Sequence, residues 1–185
     1  MFENIWTPLF QFNSMFVNIE GVKISQIICQ ATSSCIIDSK FTDMKILNST
    51  IQDITTNAEL MSFHLCNKIW MLNSLLLNAK NLDEKDSKEN LYAISADRVI
   101  NLTIQDSSFQ ELDFSFIKGK ASNMTIMGTI FSNHEQERFL VSYPQAEDTR
   151  FILLDDSNSW MLSNLFFGNL RNNMGNGGVK ILIDI

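Results

Sequence analysis

The sequence predicts an all-β protein, a right-handed parallel β-helix (solenoid) of about six to seven coils, on three observations. An eight-residue pattern recurs: apolar, any, apolar, any, small polar, two more residues, apolar. Copies align at Val22/Ile24/Gln26/Cys29, Met44/Ile46/Asn48/Ile51, Ile69/Met71/Asn73/Leu76, Leu102/Ile104/Asp106/Phe109, Met124/Ile126/Gly128/Phe131 and Trp160/Leu162/Asn164/Phe167. In the first half of every copy the apolar sites are two residues apart, the period of a strand, and no multiple of 3.6 links them. The copies start at 22, 44, 69, 102, 124 and 160, an interval at which units with one short apolar face stack as solenoids.

Taken in order, residues 1–21 precede the first copy. Phe10-Gln11-Phe12 and Val17-Asn18-Ile19 alternate like short strands after the Trp6-Thr7-Pro8 turn. They are expected to form an irregular first coil or an N-terminal cap. The β-helix proper is expected over 22–185. Each coil there holds three strand-like pieces. An apolar run comes first: Cys35 to Ile37, Met61 to Leu65, Leu91 to Ile94, Phe114 to Ile117, Phe151 to Leu154. A polar corner follows, such as Asp38-Ser39-Lys40 or Lys118-Gly119-Lys120, then the apolar-x-apolar strand, the Asn corner and a third strand.

The Asn position has a physical reason. Asn tolerates a left-handed backbone, and its amide bonds to backbone groups. On successive coils, Asn48 and Asn73 are expected to join their amides into a ladder. Gln26, Asp106 and Asn164 are further members of the row, and Gly128 keeps the turn without the bond. Two coils carry long polar loops, Lys80 to Asn90 and Asn133 to Arg150, at the same point of the repeat. Both should leave one edge of the solenoid, where repeat proteins often bind partners. Val179, Ile181, Ile183 and Ile185 alternate to the last residue. That strand predicts an open C-terminal edge, covered by further coils of a longer chain or by another protein subunit.

Composition narrows the function. With 185 residues, 45% hydrophobic, one sizeable core is within reach. A net charge of −7 and a pI near 4.7, with no basic cluster along the chain, argue against nucleic acid as a partner. Cys29, Cys35 and Cys66 form no CxxC pair. Cys29 falls on an apolar repeat position and is read as a buried thiol, although a Cys29–Cys35 bridge is open to an oxidising compartment. Met1 to Phe12 lacks the basic start and cleavage site of a signal peptide, and no apolar run is long enough to span a membrane. The chain is therefore read as cytosolic or as an internal piece of something longer. His64 and His134, the two histidines, have no cysteine at ligand spacing, so neither a metal nor a cofactor is expected. Sequons stand at Asn48, Asn101 and Asn123. Asn48 would be hidden as a ladder residue, which leaves Asn101 and Asn123, at equivalent repeat positions, as candidate glycan acceptors.

These rungs resemble the parallel β-helix repeats of the pectin-lyase-like superfamily. The end of the chain is also similar to the Phe-x-x-Asn and Gly-Gly-Ala-Ile repeats of polymorphic outer-membrane proteins and large protist surface proteins. It matches them through Phe166/Asn169 and Gly177/Gly178/Val179/Ile181, with Val in place of Ala. The resemblance implies a non-catalytic structural or adhesion segment of a larger surface or extracellular protein, with carbohydrate as a further candidate partner. The alternative it carries is a polysaccharide lyase or glycoside hydrolase. Asp155-Asp156 is similar to the paired acids of polygalacturonases, but the Gly-His-Gly and Arg-Ile-Lys segments of that group are missing. A third reading is a scaffold subunit of an intracellular assembly.

Overall fold

A computed structural model describes residues 2–82, 91–113, 115–120, 122–132, 152–155, 158–162 and 165–167. Among these residues there are nineteen strands and no helix, hence no helix able to cross a membrane. The first coil holds β1 (Phe2–Ile5), β2 (Phe10–Asn13) and β3 (Phe16–Glu20), and the second β4 (Lys23–Cys29), β5 (Ser34–Lys40) and β6 (Asp43–Leu47). The third holds β7 (Thr50–Thr56), β8 (Glu59–His64) and β9 (Lys68–Leu72), and the fourth β10 (Leu75–Asn81), β11 (Tyr92–Asp97) and β12 (Asn101–Gln105). The fifth holds β13 (Ser108–Leu112), β14 (Ser115–Lys120) and β15 (Asn123–Met127). The sixth holds β16 (Ile130–Ser132), β17 (Ile152–Asp155) and β18 (Asn158–Leu162), and β19 (Leu165–Phe167) begins a further turn.

Every third strand pairs in parallel, giving sheets β1-β4-β7-β10-β13-β16-β19, β2-β5-β8-β11-β14-β17 and β3-β6-β9-β12-β15-β18. With the right-handed sense that parallel crossovers take, this is a right-handed parallel β-helix of six coils and one further strand. Residues 2–20 are part of it. β2 and β3 pair with β5 and β6 residue for residue, while β1 shifts register against β4 between Phe2 and Ile5.

The core is a set of vertical stacks. Val17, Met44, Ile69, Leu102 and Met124 lie in one register column, and Ile19, Ile46, Met71, Ile104 and Ile126 in the next. The first sheet adds Ile24, Ile51, Leu76, Phe109 and Phe131. In the second, Phe63 is flanked by the smaller Ser39 and Ala96, so a large ring fits a column of fixed spacing. Phe109, Phe116 and Phe131 meet at centroid distances of 4.9–6.1 Å. Each such side chain, fully withdrawn from water, contributes roughly 1.5–3 kcal/mol before entropy is subtracted.

The register corrects the alignment of the first and last repeat copies. Val17, not Val22, pairs with Met44, so Gly21 takes the place of Asn48 in the first coil. Gln26 lies in β4, in register with Asp53, and belongs to a different column. The misplacement has a cause. The first sheet carries its own left-handed kink, so Ile24-x-Gln26, Ile51-x-Asp53 and Leu76-x-Asn78 repeat the apolar-x-polar signature one strand later. In the sixth coil Ser159 pairs with Met124 and Trp160 with Thr125, and Phe166 pairs with Phe131. The copy placed at Trp160 is one residue late, because a serine stands at an apolar position. Asn164, Asp156, His134, most of both long loops and the strand from Val179 lie outside the described residues.

Candidate functional site

The corners carry the polar chemistry, and the backbone dictates where. Thirteen described residues have a left-handed φ, and they fall into three columns. Between second and third sheets stand Ser14, Phe41, Leu65 and Arg98; between third and first stand Gly21, Asn48, Asn73, Asp106 and Gly128. Within the first sheet stand Gln26, Asp53, Asn78 and Glu111. A non-glycine residue there carries roughly 1–2 kcal/mol of strain, least for Asn and Asp. At the third-to-first corner the left-handed N–H reaches the next coil: Gly21 to the Leu47 carbonyl (3.0 Å), Asn48 to Leu72 (3.1 Å), Asn73 to Gln105 (3.1 Å) and Asp106 to Met127 (3.0 Å).

The expected amide ladder is not what climbs this corner. The side chains of Asn48, Asn73 and Asp106 point into solvent, and among the described residues no hydrogen bond joins Asn48 to Asn73. The residue after each of them, and after Gly128, is buried instead: Ser49, Ser74, Ser107 and Thr129. The N–H of Val22 donates to the Ser49 hydroxyl (3.3 Å), Ser49 to Ser74 (3.2 Å) and Ser74 to Ser107 (3.2 Å). Each hydroxyl in turn donates to the carbonyl two residues back: Ser49 to Leu47 (2.8 Å), Ser74 to Leu72 (2.9 Å), Ser107 to Gln105 (2.9 Å), Thr129 to Met127 (3.0 Å). The reason is directional. At a left-handed residue the side chain turns outward, and the following one turns in over the open backbone. The signal is visible in the sequence as Asn48-Ser49, Asn73-Ser74, Asp106-Ser107 and Gly128-Thr129.

The second-to-third corner repeats the device. Phe41, Leu65 and Arg98 are followed by Thr42, Cys66 and Val99. Thr42 donates to the Lys40 carbonyl (2.9 Å) and the Cys66 thiol to that of His64 (3.4 Å). Ser122 donates to the Lys120 carbonyl (2.9 Å) and accepts the Val99 N–H (3.0 Å). The corner therefore lies one residue after the expected Asp38-Ser39-Lys40, all of which are in β5. A side-chain ladder of the amide type does form in the first sheet, where Asn78 Nδ2 donates to Asp53 Oδ1 (2.7 Å). Asn78 and then Gln52, by hydrogen bonding, hold the Asp53 carboxyl below the usual range.

One charged cluster stands out. Lys40, His64, Asp97, Lys120 and Asp155 occupy one register row. His64 Nδ1 lies 2.7 Å from Asp97 Oδ2, and Arg98 reaches Asp97 Oδ2 (3.1 Å) and His64 Nε2 (3.3 Å). A guanidinium can only donate, so Nε2 accepts and the imidazole proton sits on Nδ1, facing the carboxylate. The Arg98 hydrogen bond keeps the Asp97 carboxyl below its ordinary range. A His–Asp pair suggests a general base, yet the nitrogen that would take a substrate proton is already bonded to Arg98. The cluster braces the corner.

Asn101 and Asn123 pair with Lys68 and Asn158 and share one row; both are exposed, and Asn123 Nδ2 donates to the Ile100 carbonyl (2.9 Å). Asn48 is exposed too, which removes the reason to set its sequon aside. Asp155 ends β17 in register with Lys120, and Asp156 lies outside the described residues. Cys29, Cys35 and Cys66 are buried free thiols. A hydrogen bond from Cys35 lowers Cys29, and the same bond with burial raises Cys35, so the pair yields one proton before two. No family model and no curated protein matches this sequence.

Proposed function

We propose that this chain is a non-catalytic, load-bearing β-helix segment of a surface or extracellular protein, of the pectin-lyase-like kind in its repeat and adhesive or structural in its role. The observation that supports the reading is the repeated third-to-first corner, where Asn48, Asn73 and Asp106 are each followed by a buried serine whose hydroxyl accepts an N–H from the preceding coil. That arrangement invests the polar interior in coil-to-coil bonding rather than in an accessible constellation of acids. The one His–Asp pair described has its outward nitrogen occupied. Further coils or another subunit cover the end beyond β19.

The test is turnover. Incubated with uronate polymers, the chain should release neither reducing ends nor unsaturated products. Activity that disappears in Asp155→Asn or Asp156→Asn would replace this reading with a polysaccharide-cleaving one.

A further inference from the structure

Two corners make the same left-handed turn with opposite kinds of residue. The third-to-first corner uses Gly21, Asn48, Asn73, Asp106 and Gly128, which suit that backbone. The second-to-third corner uses Ser14, Phe41, Leu65 and Arg98. Phe41 is the sharpest case: an aromatic ring at φ 52° that is 54% exposed, so neither the backbone nor the core accounts for it. A strained, bulky residue held outside the core points to a contact beyond the fold.

Its surroundings say what kind. Of the six large hydrophobic side chains exposed among the described residues, Met15 (49%), Phe16 (62%), Phe41 (54%) and Ile100 (55%) lie at this corner or the start of the third sheet. Beside them, over coils two to five, stand Lys40, Lys45, Lys68, Arg98 and Lys120. The acids there are Asp43, whose Oδ1 accepts the Lys68 N–H (3.1 Å), Asp97, held by His64 and Arg98, and Asp155, which follows Lys120 in the register row, three against five cations. The edge is therefore cationic in a chain of net charge −7. Lys45 Nζ lies 5.0 Å from the Trp70 ring and 5.9 Å from Phe16, and Lys68 Nζ lies 5.9 Å from Trp70, so cations and aromatic surface are held side by side.

We propose that this corner is a peripheral membrane-contact edge for bilayers rich in anionic phospholipid. Phe16, Phe41 and Ile100 enter the headgroup region, and the five cations meet the phosphates and carboxylates. Two features favour a bilayer over an acidic polypeptide. A solenoid corner is convex, whereas peptides are held in grooves or along sheet edges. The apolar tips are also spread over coils one to four, three coil steps or roughly 14 Å. This adds a ligand to the structural role proposed above and rests only on the residues of this edge.

The full chain is sedimented with vesicles of phosphatidylcholine alone, and of phosphatidylcholine with about one-third phosphatidylserine, in about 0.1 M and about 0.5 M salt. Binding should appear with phosphatidylserine and fall at the higher salt. Phe41→Gly should lower the partition coefficient about fivefold or more, with a melting temperature unchanged or raised because glycine suits that backbone. Ile100→Ser should act in the same direction, and Lys40→Glu with Lys120→Glu should lower it by more than about tenfold. Equal binding to both vesicle types, no binding to either, or a Phe41→Gly chain that binds like wild type would overturn the proposal. Retention on a polyglutamate resin with the same dependence on Phe41, and indifference to vesicles, would overturn it in favour of an acidic protein partner.

Discussion

Replacing Ser74 with alanine separates the hydroxyl ladder from the amide ladder that the sequence suggests. The Ser74 hydroxyl accepts the Ser49 N–H at 3.2 Å and donates to the Leu72 carbonyl at 2.9 Å. Both serines are 4% exposed, so water cannot stand in. In Ser74→Ala the Leu72 carbonyl still accepts the Asn48 N–H (3.1 Å), but the Ser49 N–H loses its partner. One buried orphan donor costs about 1–3 kcal/mol. With a urea m-value of about 2–3 kcal/mol/M for a chain of this size, the midpoint should fall by about 0.3–1.5 M at constant m. The neighbouring position should behave differently. Asn73→Gly keeps the N–H bond to Gln105 and suits the left-handed backbone, so its midpoint should match or exceed wild type. Ser74→Thr should restore most of the loss, since Thr129 fills the equivalent place in the fifth coil. Urea titrations of the three variants decide it. If Asn73→Gly costs as much as Ser74→Ala, or Ser74→Ala matches wild type, the ladder has been assigned to the wrong residue.

Phe116→Ala should cost about 3–5 kcal/mol, because its ring packs against Phe109 and Phe131 with no exposure to soften the cavity; a cost below that of the half-buried Phe10→Ala would contradict the packing. Asp97 has a lowered carboxyl pKa, so the unfolded chain binds more protons between that value and the ordinary carboxylate range. Its stabilisation is present above the ordinary value and lost as pH falls through the folded one. Asp97→Asn should therefore flatten the acid limb of a stability–pH profile and leave its neutral-to-alkaline shape alone. All three cysteines are fully buried thiols, so a thiol reagent should label none of them quickly in the folded chain and all three in denaturant; rapid labelling of Cys29 in native buffer would show the second coil opening.

Much of the architecture is written in local periodicity. Apolar-x-apolar steps with a polar interruption specify short strands and corners wherever they occur. Their recurrence specifies stacking, because a single rung cannot bury its own apolar face. Met44/Ile46, Ile69/Met71, Leu102/Ile104 and Met124/Ile126 therefore align in the structure as they do on the page. The left-handed turns at Asn48, Asn73, Asp106 and Gly128 were equally legible, because few residues tolerate that backbone.

What the sequence could not determine was register where the signature is ambiguous, and direction at the corners. Val22-x-Ile24-x-Gln26 and Val17-x-Ile19-x-Gly21 satisfy the same pattern. Only the pairing of β3 with β6 chooses between them, because parallel ladders fix register by contacts about one coil apart in sequence. The polar partner that bonds from coil to coil is likewise a tertiary fact. Asn73 and Ser74 are both able to hydrogen-bond, and the left-handed turn sends the first into water and the second into the interior. The same geometry places Phe41 on the outside and gathers Lys40, His64, Asp97, Arg98 and Lys120 from four coils onto one edge. Residues 23 to 33 positions apart become neighbours there because each coil climbs only about 4.8 Å, a distance that no reading along the chain contains.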